Sequence, residues 1–250
     1  MAGRTVIITG GGTGIGLATA QTFARNGDTP VLIGRRPEVL TRAADSVPGA
    51  VTYRADVADP DEAASAAEFV AEEFGTVDVL VLAAGGLGVL EPGPALDAAP
   101  LTALAHQWTV AFRSNVLTAV LLTEALRDRL ASPGGRVLFV SSIAAYRGSG
   151  NGAYGASKAA LHPYAFDLAR ALGPRGITVN VVAPGLIVDT EFFGGTQTPE
   201  RRQELIEETF NKRPGTPGDV AETLYWLASH AAGHVTAQII QVNGGAERGH

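Results

Sequence analysis

A tyrosine and a lysine stand four residues apart in the segment Tyr154-Gly-Ala-Ser-Lys158. The segment opens a helix predicted over residues 154–172, and side chains at i and i+4 of a helix project from the same face. A phenol with a pKa near 10 is a poor acid–base catalyst at neutral pH, and a nearby ammonium lowers that pKa because it favours the phenolate. The chain has one other lysine, Lys212, so this spacing is not expected by chance and predicts a proton-transfer site.

Two adjacent serines end the strand predicted just upstream, over residues 136–141. Ser141 and Ser142 follow the apolar run Val-Leu-Phe-Val, twelve to thirteen residues before Tyr154. A serine at this place is suited to hydrogen-bond a substrate carbonyl beside the tyrosine. The alternative is that the serine only caps the end of the strand.

A glycine-rich turn joins the first predicted strand to the first predicted helix, in the segment Thr9-Gly-Gly-Gly-Thr-Gly-Ile-Gly16. Its spacing is G-x-x-x-G-x-G, formed by Gly10, Gly14 and Gly16, and no register gives G-x-G-x-x-G. A dinucleotide pyrophosphate binds at such a place, where glycine lets phosphate approach the backbone at a helix N-terminus. The turn therefore predicts a dinucleotide site, with a simple tight turn as the alternative.

The tip of the second predicted strand indicates which dinucleotide. An NAD site places a carboxylate about 20 residues beyond the turn to hold the ribose 2′-hydroxyl, whereas this chain has Arg35 and Arg36 there. Guanidinium groups match a phosphate, so we predict NADP(H), with Arg35 as the main 2′-phosphate contact and Arg36 assisting. Alternatively, both arginines only solvate a surface turn. At the tip of the third strand, Asp56 with Val57 is predicted either to grip the adenine edge or to cap the helix that follows.

Short β-branched runs alternate with Ala-rich segments of helix length along the whole chain. The pattern predicts strands over 5–9, 31–34, 51–55, 77–84, 136–141, 177–183 and 238–242, and helices over 14–26, 37–46, 60–74, 100–130, 154–172, 198–211 and 217–229. This is an α/β fold with a doubly wound parallel sheet and helices on both faces. With no linker or repeat, residues 1–250 are expected to form one domain. Residues 186–217 are predicted to be a movable flap or, alternatively, a disordered loop.

Composition narrows the possible functions. The chain of 250 residues and 25.7 kDa contains no cysteine, which excludes a thiol nucleophile and metal–thiolate sites. A formal net charge of −6 gives no reason to expect binding to nucleic acid or to an anionic membrane. The longest apolar stretch has twelve residues, too short for a membrane span of about 20. The five histidines show no ligand spacing, so we expect no metal, and by default a cytoplasmic protein.

Over its whole length the chain resembles the short-chain dehydrogenase/reductase family, in its NADP-preferring ketoreductase type. Besides the glycine turn, the serine pair and Tyr154-x-x-x-Lys158, the resemblance is carried by Asp56-Val57, Ser114-Asn115-Val116, Asn180-Val-Val-Ala-Pro184-Gly185 and Val242-Asn-Gly-Gly245. It implies a Rossmann fold of seven parallel strands and a catalytic set of Asn115, Ser142, Tyr154 and Lys158. It also implies that the cofactor contacts are Gly10, Thr13, Gly14, Ile15, Gly16, Arg35, Arg36, Asp56, Val57, Ala84, Gly85, Tyr154, Lys158, Pro184, Gly185, Ile187 and Thr190.

The resemblance further implies a mechanism. Tyr154 protonates the carbonyl oxygen while the nicotinamide delivers hydride to carbon, and Ser142 holds that oxygen. Lys158 binds the nicotinamide ribose and lowers the pKa of the tyrosine. Asn115 holds a water between Lys158 and solvent, although it could equally be a polar link inside a helix. The alternative function is a non-catalytic NADP-binding sensor or scaffold on the same fold.

Three departures from the family pattern stand out. The family's Asn-Asn-Ala-Gly reads Leu-Ala-Ala-Gly here at residues 82–85, which removes amide contacts to the neighbouring sheet. The interval from Ser142 to Tyr154 is one residue shorter than is common, so Ser141 remains a candidate for the catalytic serine. Asp189 stands where the family usually has threonine, so we expect one residue to loop out before Thr190.

The substrate is expected to be a small carbonyl or alcohol compound. The predicted substrate wall consists of residues 86–94, 143–151 and 186–213, including Tyr146, Leu186, Phe192 and Phe193. These side chains favour an apolar, polyketide-like carbonyl compound or a 3-oxoacyl thioester. The resemblance also implies a homotetramer or homodimer that pairs the helices carrying Asn115 and Tyr154 and the last strand. Residues 116–126 and 238–242 are apolar enough for that role, or are plain core.

Overall fold

A parallel β-sheet organises the part of the chain that the computed structural model describes, which is residues 3–88, 93, 99–192 and 197–248. Its seven strands are β1 Thr5–Thr9, β2 Thr29–Gly34, β3 Val51–Arg54, β4 Val79–Leu82, β5 Arg136–Val140, β6 Thr178–Pro184 and β7 Ile239–Val242. The strand order is β3-β2-β1-β4-β5-β6-β7, and every neighbouring pair is parallel. The order reverses at β1, and in such sheets a ligand cleft opens beside the carboxyl ends of the strands at that reversal.

Nine α-helices connect these strands within the described ranges. They are α1 Gly14–Arg25, α2 Pro37–Asp45, α3 Pro60–Phe74, α4 Pro100–Phe112, α5 Thr118–Leu126, α6 Ala144–Arg147, α7 Gly152–Leu172, α8 Pro199–Glu207 and α9 Pro217–Leu227. Five of them begin with proline, which suits the first helical position because that backbone N–H has no partner inside the helix. The predicted α/β fold with helices on both faces is confirmed.

The core lies in two layers, one on each face of the sheet. Because alternate residues of a strand point to opposite faces, Ile7 packs in one buried cluster while Val6 and Ile8 pack in the other. The first cluster takes side chains from α3, α5 and α7, and the second takes them from α1, α2 and α9. This is why the central strands read as continuous apolar runs.

The helix predicted as one piece over residues 100–130 has a more complex form. A π-helical turn, Arg113–Leu117, separates α4 from α5, and a 3₁₀ turn, Arg127–Arg129, follows α5. By length and composition alone, Pro100–Arg129 is apolar enough to cross a membrane. Its most apolar 18 residues have a mean hydropathy of 1.2, and 44% of them are buried inside the protein. Core helices pass the same test, so this is weak evidence for a span.

The segment after β6, residues 186–217, is called the flap segment below. Its first part pairs with its last part through the bridge between Ile187 and Gly215, supported by Val188 N–H donating to the Gly215 carbonyl at 3.0 Å. Within it α8 is shorter than the helix predicted over 198–211. Its described residues therefore have a defined path across the carboxyl edge of the sheet, and residues 193–196 lie outside the description.

Candidate active site

A cavity of about 940 Å³ opens at the carboxyl edge of the sheet, large enough for a dinucleotide-sized ligand by the usual range of ligand pockets. It runs from the tips of β2 and β3, past the glycine turn, to the start of α7 and the flap segment. Every residue expected to contact a cofactor lines it: Gly10, Thr13, Gly14, Ile15, Gly16, Arg35, Arg36, Asp56, Val57, Ala84, Gly85, Tyr154, Lys158, Pro184, Gly185, Ile187 and Thr190. The sequence motifs thus converge on one place.

The glycine turn is closely packed against the rest of the cleft. A side chain at Gly16 would collide with the carbonyl oxygen of Gly10, so the turn between β1 and α1 can close only with glycine there. The N–H of Ala84, after β4, donates to the Thr9 hydroxyl at 3.0 Å. This bond links the end of β4 to β1. It lies next to residues 82 and 83, where leucine and alanine replace the two asparagines of the family pattern. The N-terminus of α1 begins at Gly14 and faces the cavity, as an anion site requires.

The two arginines at the end of β2 also line the cavity. Arg36 donates from Nη2 to the Glu191 carboxylate of the flap segment at 2.9 Å. Glu191 was not anticipated from the sequence, because an ion pair between residues 155 positions apart leaves no local pattern. The β2 tip therefore presents guanidinium groups to the cleft, one of which is held by a carboxylate from the opposite wall.

At the tip of β3, Asp56 is bound by an arginine. Arg113 Nη2 donates to Asp56 Oδ2 at 2.7 Å, and Asp56 Oδ1 accepts from the N–H of Ala58 at 3.2 Å. The side chain that caps α3 is instead Asp59, which accepts from the N–H groups of Asp61 and Glu62. The helix-cap alternative for Asp56 is therefore wrong, and its carboxylate lies in the cavity wall.

The two serines after β5 have different surroundings. Ser141 is buried and donates from Oγ to the Lys158 carbonyl at 3.1 Å, while its oxygen lies 2.8 Å from His162 Nε2. Ser142 accepts from the N–H of Ala144 at 3.1 Å and lines the cavity together with Tyr154. Of the two serines, Ser142 is the one whose side chain acts on the pKa of Tyr154, which it lowers.

The start of α7 fixes the tyrosine. Asn151 caps this helix by accepting from the N–H of Tyr154 at 3.1 Å, so Tyr154 lies in the first helical turn. Its ring is buried, and the ring of Phe192 packs edge-on against it with centroids 5.4 Å apart. Burial raises the pKa of Tyr154 to about 12, although the hydrogen bond from Ser142 acts in the opposite direction.

Lys158 lies one turn further along α7. Its Nζ donates to the carbonyl oxygen of Val140 at 2.9 Å, and burial lowers the pKa of its ammonium to about 8. The expectation that this ammonium lowers the pKa of Tyr154 is wrong for this structure. Desolvation of the enclosed phenol dominates, and the lysine is directed to a main-chain carbonyl instead.

Asn115 lies beside the cavity rather than in its wall. It occupies the π-helical turn and is completely buried. Its Nδ2 donates to the carbonyls of Gly86 and Ala111, both at 2.9 Å, and its Oδ1 accepts from the N–H of Gly86 at 2.9 Å. The amide thereby clamps the loop after β4, and π-turns are frequent at functional sites.

Gly85 lies next to the side chains of both Asn115 and Lys158. A β-carbon at Gly85 would lie 2.5 Å from Asn115 Oδ1 and 2.9 Å from Lys158 Nζ. Its φ of +149° is also a conformation that favours glycine. Only glycine therefore fits at this position beside the amide and the ammonium.

The backbone bends at Asp189, just before Thr190. Asp189 has a φ of +57°, which lies in the left-handed region and reverses the chain. Thr190 then lies over the glycine turn, since a β-carbon on Gly14 would be 3.3 Å from its methyl carbon. This places Thr190 at the helix N-terminus, where a phosphate contact was expected.

The expected substrate wall is partly realised. Leu186, Phe192 and parts of residues 86–88 and 143–151 line the cavity, whereas residues 89–92, 94 and Phe193 lie outside the described residues. Tyr146 is not a lining residue, because its ring packs on His162 with centroids 5.3 Å apart. The sequence had not singled out Arg147, which lines the cavity and pairs with Glu208 at 2.6 Å.

This arrangement can bind a dinucleotide along the glycine turn and transfer a proton at the other end of the cleft. A phenol and a serine hydroxyl in one cavity wall can together bind an oxygen atom, to which the phenol donates its proton. In the described part of the chain, no three His, Asp or Glu side chains are placed to hold a metal ion.

Comparison with known proteins agrees with this geometry. Residues 10–247 match a family model described as enoyl-(acyl carrier protein) reductase. The chain is 32% identical to 7alpha-hydroxysteroid dehydrogenase of Escherichia coli strain K12, over 97% of this chain and 94% of the relative. It is 34% identical to the 3-oxoacyl-[acyl-carrier-protein] reductase MabA of Mycobacterium bovis, over 99% of this chain and 94% of the relative.

A solved structure has the same fold. The short-chain dehydrogenase/reductase SDR:glucose/ribitol dehydrogenase of Brucella melitensis superimposes with a TM-score of 0.87 and is 31% identical, covering 98% of this chain and 97% of that one. The sheet, the glycine turn and the cleft therefore belong to a fold whose solved members share nearly the full length of this chain.

Proposed function

This chain belongs to the short-chain dehydrogenase/reductase family, and on that premise we propose that it catalyses the reversible, NADPH-dependent reduction of a ketone or other carbonyl group to a secondary alcohol. The observation that carries the proposal is that Tyr154, Ser142 and Lys158 line the same cavity as the glycine turn, with the Ser142 side chain acting to lower the pKa of the Tyr154 phenol. A sensor that only binds the cofactor needs no such pair.

The residues along the cleft fit a nicotinamide dinucleotide. The glycine turn and the N-terminus of α1 suit the pyrophosphate, and Thr190 approaches from the flap segment. Two guanidinium groups at the β2 tip suit a 2′-phosphate, since a carboxylate there would repel it. We therefore assign the preference to NADP(H), with Arg35 as the main contact. When bound, the cofactor supplies the hydride.

Tyr154 acts as the acid in the reduction direction. With a pKa of about 12 its hydroxyl stays protonated at neutral pH, so it can donate to a carbonyl oxygen that gains charge. Ser142 holds that oxygen by donating a hydrogen bond. Lys158, whose Nζ is held by the Val140 carbonyl at 2.9 Å, binds the nicotinamide ribose in this proposal.

Asn115 holds the loop after β4 in place. Its amide makes three hydrogen bonds at 2.9 Å to the main chain, which fixes Gly85 and Gly86 against the ammonium. In this proposal, Asn115 acts by positioning this loop beside Lys158.

The substrate proposed is a mostly apolar carbonyl compound, such as a 3-oxoacyl thioester or a polyketide-like ketone. At the catalytic end, the described wall carries the apolar side chains of Leu87, Ile143, Leu186, Phe192 and Leu205. The relatives named for 3-oxoacyl and hydroxysteroid substrates support an apolar acyl chain or ring next to the carbonyl.

We also propose a homo-oligomer, tetrameric or dimeric, formed on the outer face of α4, α5 and α7. Several large apolar side chains are exposed there, with Leu101 at 79% the most accessible; the others are Leu104, Trp108, Phe112, Leu117 and Phe166. A group of exposed large apolar side chains on one set of helices supports a protein interface. Residues 116–126 are divided between this face and the core, since Leu122 and Leu126 are fully buried.

The function is tested by NADPH oxidation, followed as loss of nicotinamide absorbance, with a panel of ketones and acetoacetyl thioesters. Dissociation constants for NADPH and NADH are measured by titration calorimetry on the same protein. We expect turnover with at least one apolar carbonyl compound and tighter binding of NADPH. NADPH binding without turnover of any compound supports the sensor instead, and equal affinities contradict the cofactor assignment.

A further inference from the structure

Glu191 reaches across the cleft from the flap segment to the β2 tip. Its Oε2 accepts from Arg36 Nη2 at 2.9 Å, and both residues line the same cavity. The neighbours of Glu191 are each fixed elsewhere: Thr190 lies over Gly14, and the Phe192 ring packs against Tyr154. The carboxylate is therefore presented to the arginine tip by a backbone held on both sides.

Three carboxylates are found among the described lining residues, and each is paired with an arginine. Asp56 binds Arg113 at 2.7 Å and Glu208 binds Arg147 at 2.6 Å. Only Glu191 takes its partner from the pair at the β2 tip. It thus occupies a guanidinium in the place where the proposed function puts a cofactor phosphate.

We propose that Glu191 is a cofactor-specificity residue whose carboxylate competes with the 2′-phosphate of NADP(H) for Arg36. This inference rests on the proposed function, in which the β2 tip receives that phosphate. A phosphate of charge near −2 displaces a carboxylate of charge −1 from a guanidinium, whereas a cofactor with a 2′-hydroxyl leaves the ion pair intact. Binding of NADP(H) therefore releases the flap segment from the β2 tip, and binding of NAD(H) does not.

The expected effect is modest because the pair is partly in water. The side chains of Arg36 and Glu191 are 37% and 63% exposed, and pairs this exposed contribute little free energy. Removing the competing carboxylate should tighten binding of a 2′-phosphate by about two- to five-fold. The gain should shrink as salt is added.

The test uses two fragments that contain no nicotinamide, adenosine 2′,5′-bisphosphate and adenosine 5′-monophosphate, besides NADPH and NADH. Titration calorimetry gives the dissociation constants for the wild type and for Glu191→Gln. We expect tighter binding of NADPH and the bisphosphate only. The matched control is Glu208→Gln, which removes a carboxylate from the same cavity but not from the β2 tip. This variant should bind each of the four ligands with the same dissociation constant as the wild type.

A double-mutant cycle with Arg36→Met separates competition from simple repulsion. If competition for Arg36 is the cause, Glu191→Gln has no effect once Arg36 is methionine. Tightening that persists in the Arg36→Met background, or tightening of the monophosphate by the same factor, overturns the inference. If the wild type does not distinguish the two fragments at all, the NADP preference itself has failed. If it does distinguish them but Glu191→Gln changes nothing, only the role of Glu191 has failed.

Discussion

The ammonium of Lys158 donates a hydrogen bond to the main-chain carbonyl oxygen of Val140 at 2.9 Å. Val140 is the last residue of β5, so the charge is held beneath the carboxyl edge of the sheet by a neutral acceptor. With desolvation the dominant influence, the pKa of Lys158 falls to about 8. A cation in such a place costs folding free energy, and that cost depends on pH.

Stability should rise with pH above about 8 because of this lysine. Between a folded pKa of about 8 and the ordinary value of 10.5, the unfolded chain binds more protons at Lys158 than the folded chain does. Relative to Lys158→Met, the wild type should gain about 1.5 kcal/mol of unfolding free energy between about pH 8 and about pH 9.5. Urea unfolding of both proteins at each pH measures this gain. A difference in unfolding free energy that does not change with pH contradicts the prediction.

Replacing Tyr154 with phenylalanine should reduce kcat by roughly 10²- to 10⁴-fold, the usual contribution of a positioned proton donor. Binding of NADPH should change little, because the ring keeps its packing against Phe192. The matched control on the same helix is Tyr164→Phe, which loses only a hydrogen bond to Glu124 and should retain activity. Turnover that survives Tyr154→Phe contradicts the assigned role.

Alanine substitution should affect activity at one of the two serines and stability at the other. Ser142→Ala removes the hydroxyl that contacts Tyr154 and should lower kcat by about 10²-fold or more. Ser141→Ala removes a bond to the Lys158 carbonyl and should act mainly on stability, by about 1 kcal/mol. Steady-state kinetics and thermal melting of both variants decide this, and the reverse order identifies Ser141 as the catalytic serine.

The loop after β4 offers a comparison of two adjacent glycines. Gly85→Ala places a methyl group against Asn115 Oδ1 and Lys158 Nζ and should sharply reduce activity, with a stability loss of about 1–3 kcal/mol. Gly86→Ala meets nothing within 4 Å and should be tolerated. Melting temperatures and kcat of the two variants are the readout. Equal effects would show that the loop, not the collision, is responsible.

The sequence predicted most of the fold because local patterns are strong here. Proline at the first helical position predicted where several helices begin, and unbroken apolar runs predicted the strands. Nearly every helix and strand was predicted to within a few residues. The π-turn at Asn115 was not predicted, because one extra residue shifts the apolar pattern by a single position, which is not visible in a segment that is apolar along most of its length. The short helix Ala144–Arg147 was also missed, being only one turn long.

Within the candidate site, contacts encoded by short motifs were predictable and contacts between distant segments were not. The spacing of Tyr154 and Lys158 is visible in the sequence, whereas the pairing of Glu191 with Arg36 depends on the path of the flap segment. The direction of the Tyr154 pKa was also beyond sequence reasoning, because burial of the ring by Phe192 is a tertiary effect.

The π-turn at Arg113–Leu117 makes this helix a natural place for a one-residue deletion. A π-turn holds one residue more than an α-turn, so losing a residue there would restore an ordinary helix without breaking it. Because the wide turn takes up the extra residue, α4 and α5 would keep their faces, and the exposed side chains of Trp108 and Phe112 would stay on the outer surface. The change would fall on Asn115, whose amide binds the main chain of Gly86 from within this turn. A single-residue deletion would thus loosen the loop beside the cavity while the helices and the sheet stayed intact.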